Sequence, residues 1–504
     1  MQTYFGDVWL VRLLFQRGLA AVYLIAFLNA MNQFPALLGE NGLLPVRDYT
    51  KRVSFREAPS LFHFHYSDRF LKLLAGGGAA LSLLALLGVA DAGPIWVSIT
   101  VWLLLWALYL SIVNAGQIFY GFGWESMLLE AGFFAAFLGP TGMDPSLIPI
   151  LALRWMLFRV EFGAGLIKLR HDRCWRELTC LYYHHETQPM PNPLSAYFHR
   201  LPKFVHRAST AFSHFVQLVV PFGLFAPQPI ASTAGAFIIV HQSLLIVSGN
   251  YAWLNWLTVV LGFTAFSDRA LAAFFAVNVP VLPARPPAFE AVLYVLAGAT
   301  LLLSIRPTLN LFSRHQRMNF SFNPLHLVGS YGAFGSVTRR RYEIVIEGTE
   351  AEASSPAAAW REYEFKGKPG RESQRPRQWA PYHLRLDWLM WFLPLTTTVV
   401  GRKVITMGPE RWFVRLLQKL LEADPRVLGL LKSDPFGGRR PAQVRANLFR
   451  YRFATPSEHA ATGNWWKRTW VGEYVAPLAL SRANAELSAE RRAVRRHRPS
   501  FGLG

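Results

Sequence analysis

Repeated long apolar runs in the first 306 residues are the feature that most restricts how this chain can fold. They lie near 18–38, 70–90, 94–114, 124–140, 147–167, 209–226, 230–249, 251–267 and 288–305. A bilayer core about 30 Å thick takes about 20 apolar residues in helix. A soluble helical core would have to bury all these runs at once, so a multi-pass α-helical membrane domain is expected over residues 1–306, with about nine spans and an error of one. The count is least firm at 124–140 and 268–283, because a short run is also compatible with a re-entrant or interfacial segment. Residues 8–16 read as a helix lying on the membrane surface ahead of the first span. No cleavable signal peptide is expected, since the first run is long, carries Asn29 and Asn32 and lacks a small-residue cleavage site. Trp96, Trp102, Tyr120, Trp124, Tyr251, Trp253 and Trp256 fall at predicted span ends, where amphipathic rings settle among headgroups.

Charge divides the chain at the same place. Of 52 Lys+Arg and 31 Asp+Glu, residues 1–306 hold 20 and 15, and residues 307–504 hold 32 and 16, so +16 of the net +21 lies in the second part. Without a nucleic-acid-binding motif, that excess reads as a solvated face or a contact with anionic lipid headgroups, and no nucleic-acid partner is expected. The loops at 39–69 and 168–208 carry five and seven Lys/Arg, which by the positive-inside rule places the basic part in the cytoplasm.

Charged groups at membrane depth are costly and mark candidate sites. Glu125 and Glu130 belong to the fourth run, Arg154, Arg159, Glu161 and Lys168 to the fifth, and His241 to the seventh. Arg154 and Glu161, seven residues apart, share a helical face, and Glu130 is expected to reach either arginine from a neighbouring helix. The favoured reading is an interhelical ion-pair network that fixes packing. The alternative is a polar cavity for a substrate or proton.

The segment 168–208 is the chemically densest in the chain. His171, Cys174, Cys180, His184 and His185 offer soft ligands, but the spacing lacks the short pairing of structural zinc sites, so no metal or other cofactor is expected. Cys174 and Cys180 are read as two free thiols in a packed loop, or as a disulfide if the loop faces an oxidising compartment. After Arg306 the pattern is that of a mixed α+β domain with a β-sheet or sandwich core over 307–481, followed by a basic mobile tail at 482–504. Period-two alternation predicts strands at 340–349, 360–365, 450–455 and 465–474, the first two paired. An amphipathic helix is expected at 409–424, stopped by Asp424-Pro425. There is no nucleophile elbow, phosphate loop, paired-Cys motif or HExxH, and GFG at 121–123 is too weak a signal for nucleotide binding. Trp360, Trp388, Trp465 and Trp466 are candidate partner-contact aromatics.

GWESMLLEAGFFAAFLGP (123–140), FGAGLIKLRHDRCWRELTCLYYHHETQPMPNPLS (162–195), SGNYAWLNWLT (248–258), YGAFGSVTRRRYEIVIEGT (331–349), WREYEFKGKPG (360–370), APYHLRLDW (380–388) and WWKRTWVGEY (465–474) together resemble the lipase maturation factor family. The resemblance implies a multi-pass protein of the endoplasmic reticulum membrane, or of the inner membrane in a bacterium. Such a protein helps client lipases reach an active fold without catalysing a reaction itself. It also implies a lumenal C-terminal domain that contacts the client. That outweighs the charge-based orientation, since long domains escape the positive-inside rule. A membrane enzyme or lipid-handling protein built on the buried charges is the competing expectation.

Overall fold

The computed structural model describes residues 2–277, 279–352, 355, 358–400, 403–405, 410–485 and 487. The first part consists of α1 (Trp9–Leu37), α2 (Asp68–Leu86), α3 (Ile95–Ala115), α4 (Gly123–Ala135), α5 (Leu147–Arg170), α6 (Lys203–Leu218), α7 (Ile230–Ser248), α8 (Leu254–Gly262), α9 (Asp268–Phe275) and α10 (Pro287–Phe312), with shorter turns between them. Among the described residues six helical segments are long and apolar enough to cross a membrane: α1, α2, α3, Lys203–Phe225 (α6 with the turn that follows it), α7 and α10. The pair α8 and α9, bent by 112° at a short break, brings the number to seven at most.

The expected nine therefore exceeds the number of helices with span-like length and composition. The difference falls on two runs. α4, over 124–140, has only 13 residues, and 12 of them are buried. α5, over 147–167, is long enough at 24 residues but carries Arg154, Arg159, Glu161 and Lys168, all buried in protein. Protein neighbours, rather than lipid, make such charges tolerable. α10 is the opposite case, with Tyr294, Val295, Leu301, Leu302, Leu309 and Phe312 exposed along its length.

The predicted surface helix at 8–16 is instead the beginning of the continuous α1. Its Arg12 is fully buried and donates to the carbonyls of Met143 (2.7 Å) and Thr141 (3.0 Å), which replace the water that a surface helix would have offered. Asp268 closes the same end of the helix set by accepting from the N–H groups of Trp9 (2.6 Å) and Leu10 (2.8 Å), the unpaired donors of a helix start.

The second part contains β1 (Arg341–Thr349), β2 (Arg361–Glu362), α11 (Arg385–Phe392), β3 (Thr398–Val400), β4 (Lys403–Ile405), α12 (Arg411–Leu421), β5 (Gln443–Phe453) and β6 (Trp466–Leu478). One antiparallel sheet runs β2-β1-β5-β6, and β3 and β4 pair in a separate two-stranded sheet, so among the described residues the core is a sheet with helices and not a sandwich. β1 and β2 pair as predicted, Glu347 opposite Glu362. The amphipathic stripe of α12 is buried through Phe413, Leu416, Leu417, Leu420 and Leu421. Asp424 accepts from the N–H groups of Arg426 and Val427, capping the next turn. Of the predicted tail 482–504, residues 482–485 continue a helix in which Ala483 is buried, Leu487 is also buried, and 486 and 488–504 lie outside the described residues.

Candidate functional site: the joint between helices and sheet domain

The charged groups singled out in the fourth and fifth runs meet the second part of the chain. Residues 380–385, which lead into α11 at Arg385, insert against α1, α3 and α4. Asn29 and Gln33, one turn apart on α1, both donate to the His383 carbonyl, at 2.6 and 2.7 Å. Gln33 accepts the Arg385 N–H at 3.0 Å, and Asn29 accepts from Arg385 Nε at 2.9 Å. The Arg385 guanidinium then reaches Glu125 Oε1 (2.7 Å) and the Phe119 carbonyl (2.8 Å), lying 3.4 Å over the Tyr120 ring. Tyr109 donates to the other Glu125 oxygen. Arg385 and Glu125 are both fully buried. The polar residues of α1 are thus the receptor for a segment about 350 positions away.

Glu130 and Arg159 form a second buried pair, between α4 and α5. Glu130 also accepts from the Gly329 N–H (2.8 Å) and the Tyr331 hydroxyl (2.7 Å), while Arg159 donates to the Gly329 carbonyl. The segment entering the sheet domain is therefore fastened to the helices by the same ion pair. Gly163 explains the close approach, because a Cβ there would stand 2.4 Å from the Tyr331 carbonyl oxygen.

The remaining charges do not join these pairs. Arg154, expected to pair with Glu130 or Glu161, instead donates to the carbonyls of Thr264 (2.6 Å), Leu224 (3.3 Å) and Phe266 (3.5 Å). Those carbonyls end helical turns, where positive charge is favourable. Glu161 accepts from Gln242 (2.6 Å) and Gln217 (3.2 Å). Lys168 donates to Gln217 (2.8 Å) and Ser213 (3.5 Å), and His241 shares Ser213 at 3.2 Å. The expected single cluster is thus two ion pairs to the sheet-domain side, one backbone cap and one amide-bridged chain. Residues at i and i+7 share a face, but backbone carbonyls and amides closer to each charge satisfy it first.

The segment after α5 forms the rest of the joint. Asp172 caps a short turn by accepting from the Cys174 N–H (3.1 Å), and it binds Arg339 (2.8 Å) and the Val337 N–H (3.2 Å). Arg339 and these N–H donors hold its carboxyl at about 2. Cys174 and Cys180 are joined as a disulfide, with Cα atoms 4.8 Å apart and both residues buried, so neither sulfur is a thiolate ligand. This replaces the favoured pair of free thiols; the turn at 173–179 brings the two Cβ atoms within reach. His184 sits 2.9 Å from the Tyr251 hydroxyl, and burial lowers its imidazole to about 4. His185, likewise buried, is lowered well below its ordinary value.

Several residues of this joint carried no sequence signal as sites. Arg341 donates to the carbonyls of Glu186 (3.0 Å) and Pro189 (3.0 Å) and pairs at 2.5 Å with buried Glu343, which also meets Lys368 at 3.0 Å. Asn250, between α7 and α8, donates to the Pro191 (3.2 Å) and Arg377 (2.9 Å) carbonyls and accepts from the N–H groups of Trp379 (2.7 Å) and Ala380 (2.9 Å). Asn250, Arg341, Lys368 and Arg385 all lie within the sequence blocks that carry the family resemblance. Only for Arg385 was there an indirect signal, Glu125, an acid inside an apolar run with no cation on its own helix.

The candidate contact aromatics divide differently from expectation. Trp388 and Trp466 are buried core residues, which removes them from any accessible face. Trp388 packs edge-on against Trp124, and Trp466 stacks on Phe453. Trp360 lies under Arg445 (4.1 Å), and Trp465 packs near His459 (4.6 Å); both are partly exposed. Trp470 on β6, not among the four, is half exposed.

Comparison with known proteins covers both parts. Residues 10–273 match the model of the lipase maturation factor transmembrane domain, and residues 327–476 that of the lipase maturation factor C-terminal domain. The chain is 41% identical to lipase maturation factor 1 of Homo sapiens, covering 94% of this chain and 89% of the relative. It is 42% identical to the Bos taurus protein of the same name, over 94% and 90%. Identity to lipase maturation factor 2 of Homo sapiens is 28%, over 94% and 83%. No solved structure matches. The first match contains Glu125, Glu130 and Arg159 and the second contains Arg341 and Arg385, so both sides of the joint fall within the matched regions, and by these matches the chain belongs to the lipase maturation factor family.

Proposed function

We propose that this protein is a membrane-embedded maturation factor that assists the folding or assembly of secreted lipases, and that it does so without catalysing a reaction. The observation that carries the proposal is the 41% identity over 94% of the chain to a protein named for lipase maturation, across both the helical and the sheet part. The geometry of the buried charges agrees with a scaffold. Glu125 and Glu130 are each committed to an arginine, and Arg154 to backbone carbonyls, which leaves these groups closed by protein partners.

The proposal includes residence in the endoplasmic reticulum membrane, a lumenal sheet domain, and client contact through partly exposed aromatics such as Trp360 and Trp465. Its domains are 1–306 and 307–481. It also includes nine passes between the two ends of the helix set, with α4 and α5 traversing within protein. That parity is supported by contacts. The ends of α1 and α7 and the start of α2 reach the sheet domain through Gln33, Asn250 and Asp68, the last by its ion pair with Arg426. The start of α1 and the turns at 139–143 and 268 lie together at the opposite end.

The test is crosslinking and affinity recovery of the intact chain from native membranes of lipase-secreting cells. Recovery of a folding lipase is the expected result. Recovery of none, with the chain present at normal abundance, counts against the proposal.

A further inference from the structure

A cavity of about 790 Å³ opens between residues 184–188, the segment leading into β1 and the stretch 391–398. Its size suits a small-molecule site. Among the described residues its lining contains arginines 339, 340 and 341 and no acidic side chain. Arg339 is balanced by Asp172 and Arg341 by Glu343. Arg340 is exposed and makes no ion pair among the described residues, so it is the cation left for a ligand. Ser336, Thr338 and Thr397 also line the cavity, Phe334 packs edge-on against His184, and Trp391 and Leu395 add apolar surface from the stretch 391–398.

The depth of the cavity follows from what its floor is bonded to. Gln188 donates to the carbonyl of Ser248, the last residue of α7, at 3.0 Å. His184 meets the hydroxyl of Tyr251, just before α8, at 2.9 Å. α7 is a candidate span, and α8 belongs to the bent candidate pair. With α7 and α8 placed in the bilayer as these candidate spans, the floor sits at the membrane surface, where the two apolar helices enter the lipid. Leu395, which lines the cavity from the stretch 391–398, is exposed. A ligand fitting this arrangement carries negative charge at one end and hydrocarbon at the other, and at this depth the bilayer supplies such molecules.

We propose that the cavity holds the headgroup and upper acyl chains of one anionic phospholipid, with Arg340 as the charge that selects it. The inference rests on the membrane placement of α7 and α8 and is independent of the identity of the client. In function, such a lipid would tie the sheet domain to the leaflet next to it, since the cavity walls come from both the 168–208 segment and β1.

The test is native mass spectrometry of the full chain released from neutral detergent, titrated with dioctanoyl phosphatidylglycerol, dioctanoyl phosphatidylcholine or glycerol phosphate. One saturable adduct is expected, favouring the anionic lipid over phosphatidylcholine by about tenfold, a difference of the size of one charge-assisted contact. Arg340→Glu and Leu395→Asp each weaken it by about tenfold or more. Arg314→Glu, an exposed charge reversal away from the cavity, leaves it unchanged. Equal uptake of the two lipids, an unaffected Arg340→Glu protein, or equal weakening by Arg314→Glu overturns the proposal. Full competition by glycerol phosphate also overturns it, in favour of a soluble anion.

Discussion

Arg385 shows how much of this molecule depends on single buried contacts. Its loss would strand the Glu125 carboxylate where no water reaches, and breaking such a pair on one side costs about 3–5 kcal/mol. Arg385→Gln is expected to lower the thermal midpoint of the detergent-purified protein by several degrees. The double variant Glu125→Gln, Arg385→Gln should recover most of that loss, because two amides can hydrogen-bond without a charge to bury. A double variant no better than the single would remove the ion pair from the account. His184 gives a pH dependence with a defined sign. Its folded imidazole titrates at about 4 because of burial, below the ordinary 6.5, so its contribution to stability is complete above about 6.5 and is lost as pH falls towards 4. The thermal midpoint should therefore drop between pH 6.5 and 4.5, and His184→Gln should flatten part of the drop, with His185, His199, His326 and His383, also lowered by burial, contributing to the remainder. At this scale the sequence was half legible. Glu125, Glu130, Arg154, Arg159, Glu161 and Lys168 announce themselves by being charged inside apolar runs. Glu130 and Arg159 are each other's partners, but the remaining partners are not visible, because Arg385, Gly329 and Thr264 are remote in sequence and ordinary in their local context.

The elements were easier to read where one periodicity dominates. The alternation in β1 and the stripe of α12 lead directly to the observed strand and helix, although β1, held between β2 and β5, is buried at eight of its nine positions and so on both faces. α4 and α5 are harder to read because an apolar run has the same appearance whether lipid or protein surrounds it, and the charges on α5 were the sign that protein does. Close packing at α5 leads to a further expectation. Gly163→Ala would push a Cβ to 2.4 Å from the Tyr331 carbonyl, backbone that cannot rotate away, so it should destabilise the protein markedly and lower its steady-state level. Gly298→Ala on α10, where a Cβ would meet nothing within 4 Å, is expected to be neutral or slightly stabilising, as alanine is the better helix former. If the two variants accumulate equally in membranes, the close approach between α5 and residue 331 is not what holds this joint.

At the scale of the whole molecule the two parts are one unit. The sequence splits them by charge and hydropathy, and that division is real, but composition cannot show that the basic part sends Arg385 into the helices and receives Asn250 in return. Residues 1–306 expressed alone should consequently be degraded, because removing the second part leaves Glu125 without its arginine and Glu130 without Gly329 and Tyr331. Pulse-chase measurement of its half-life against the intact chain tests this, and equal half-lives would show that the helices stand without the sheet domain. The central claim is that this joined unit matures secreted lipases. The most direct measurement is the activity per mass of secreted lipase from cells lacking their own maturation factor, with and without the intact chain. The account predicts that the chain raises that specific activity severalfold, and that Arg385→Gln lowers the gain in proportion to its reduced level in the membrane. No rise, with the intact chain present in the membrane at normal abundance, would contradict it.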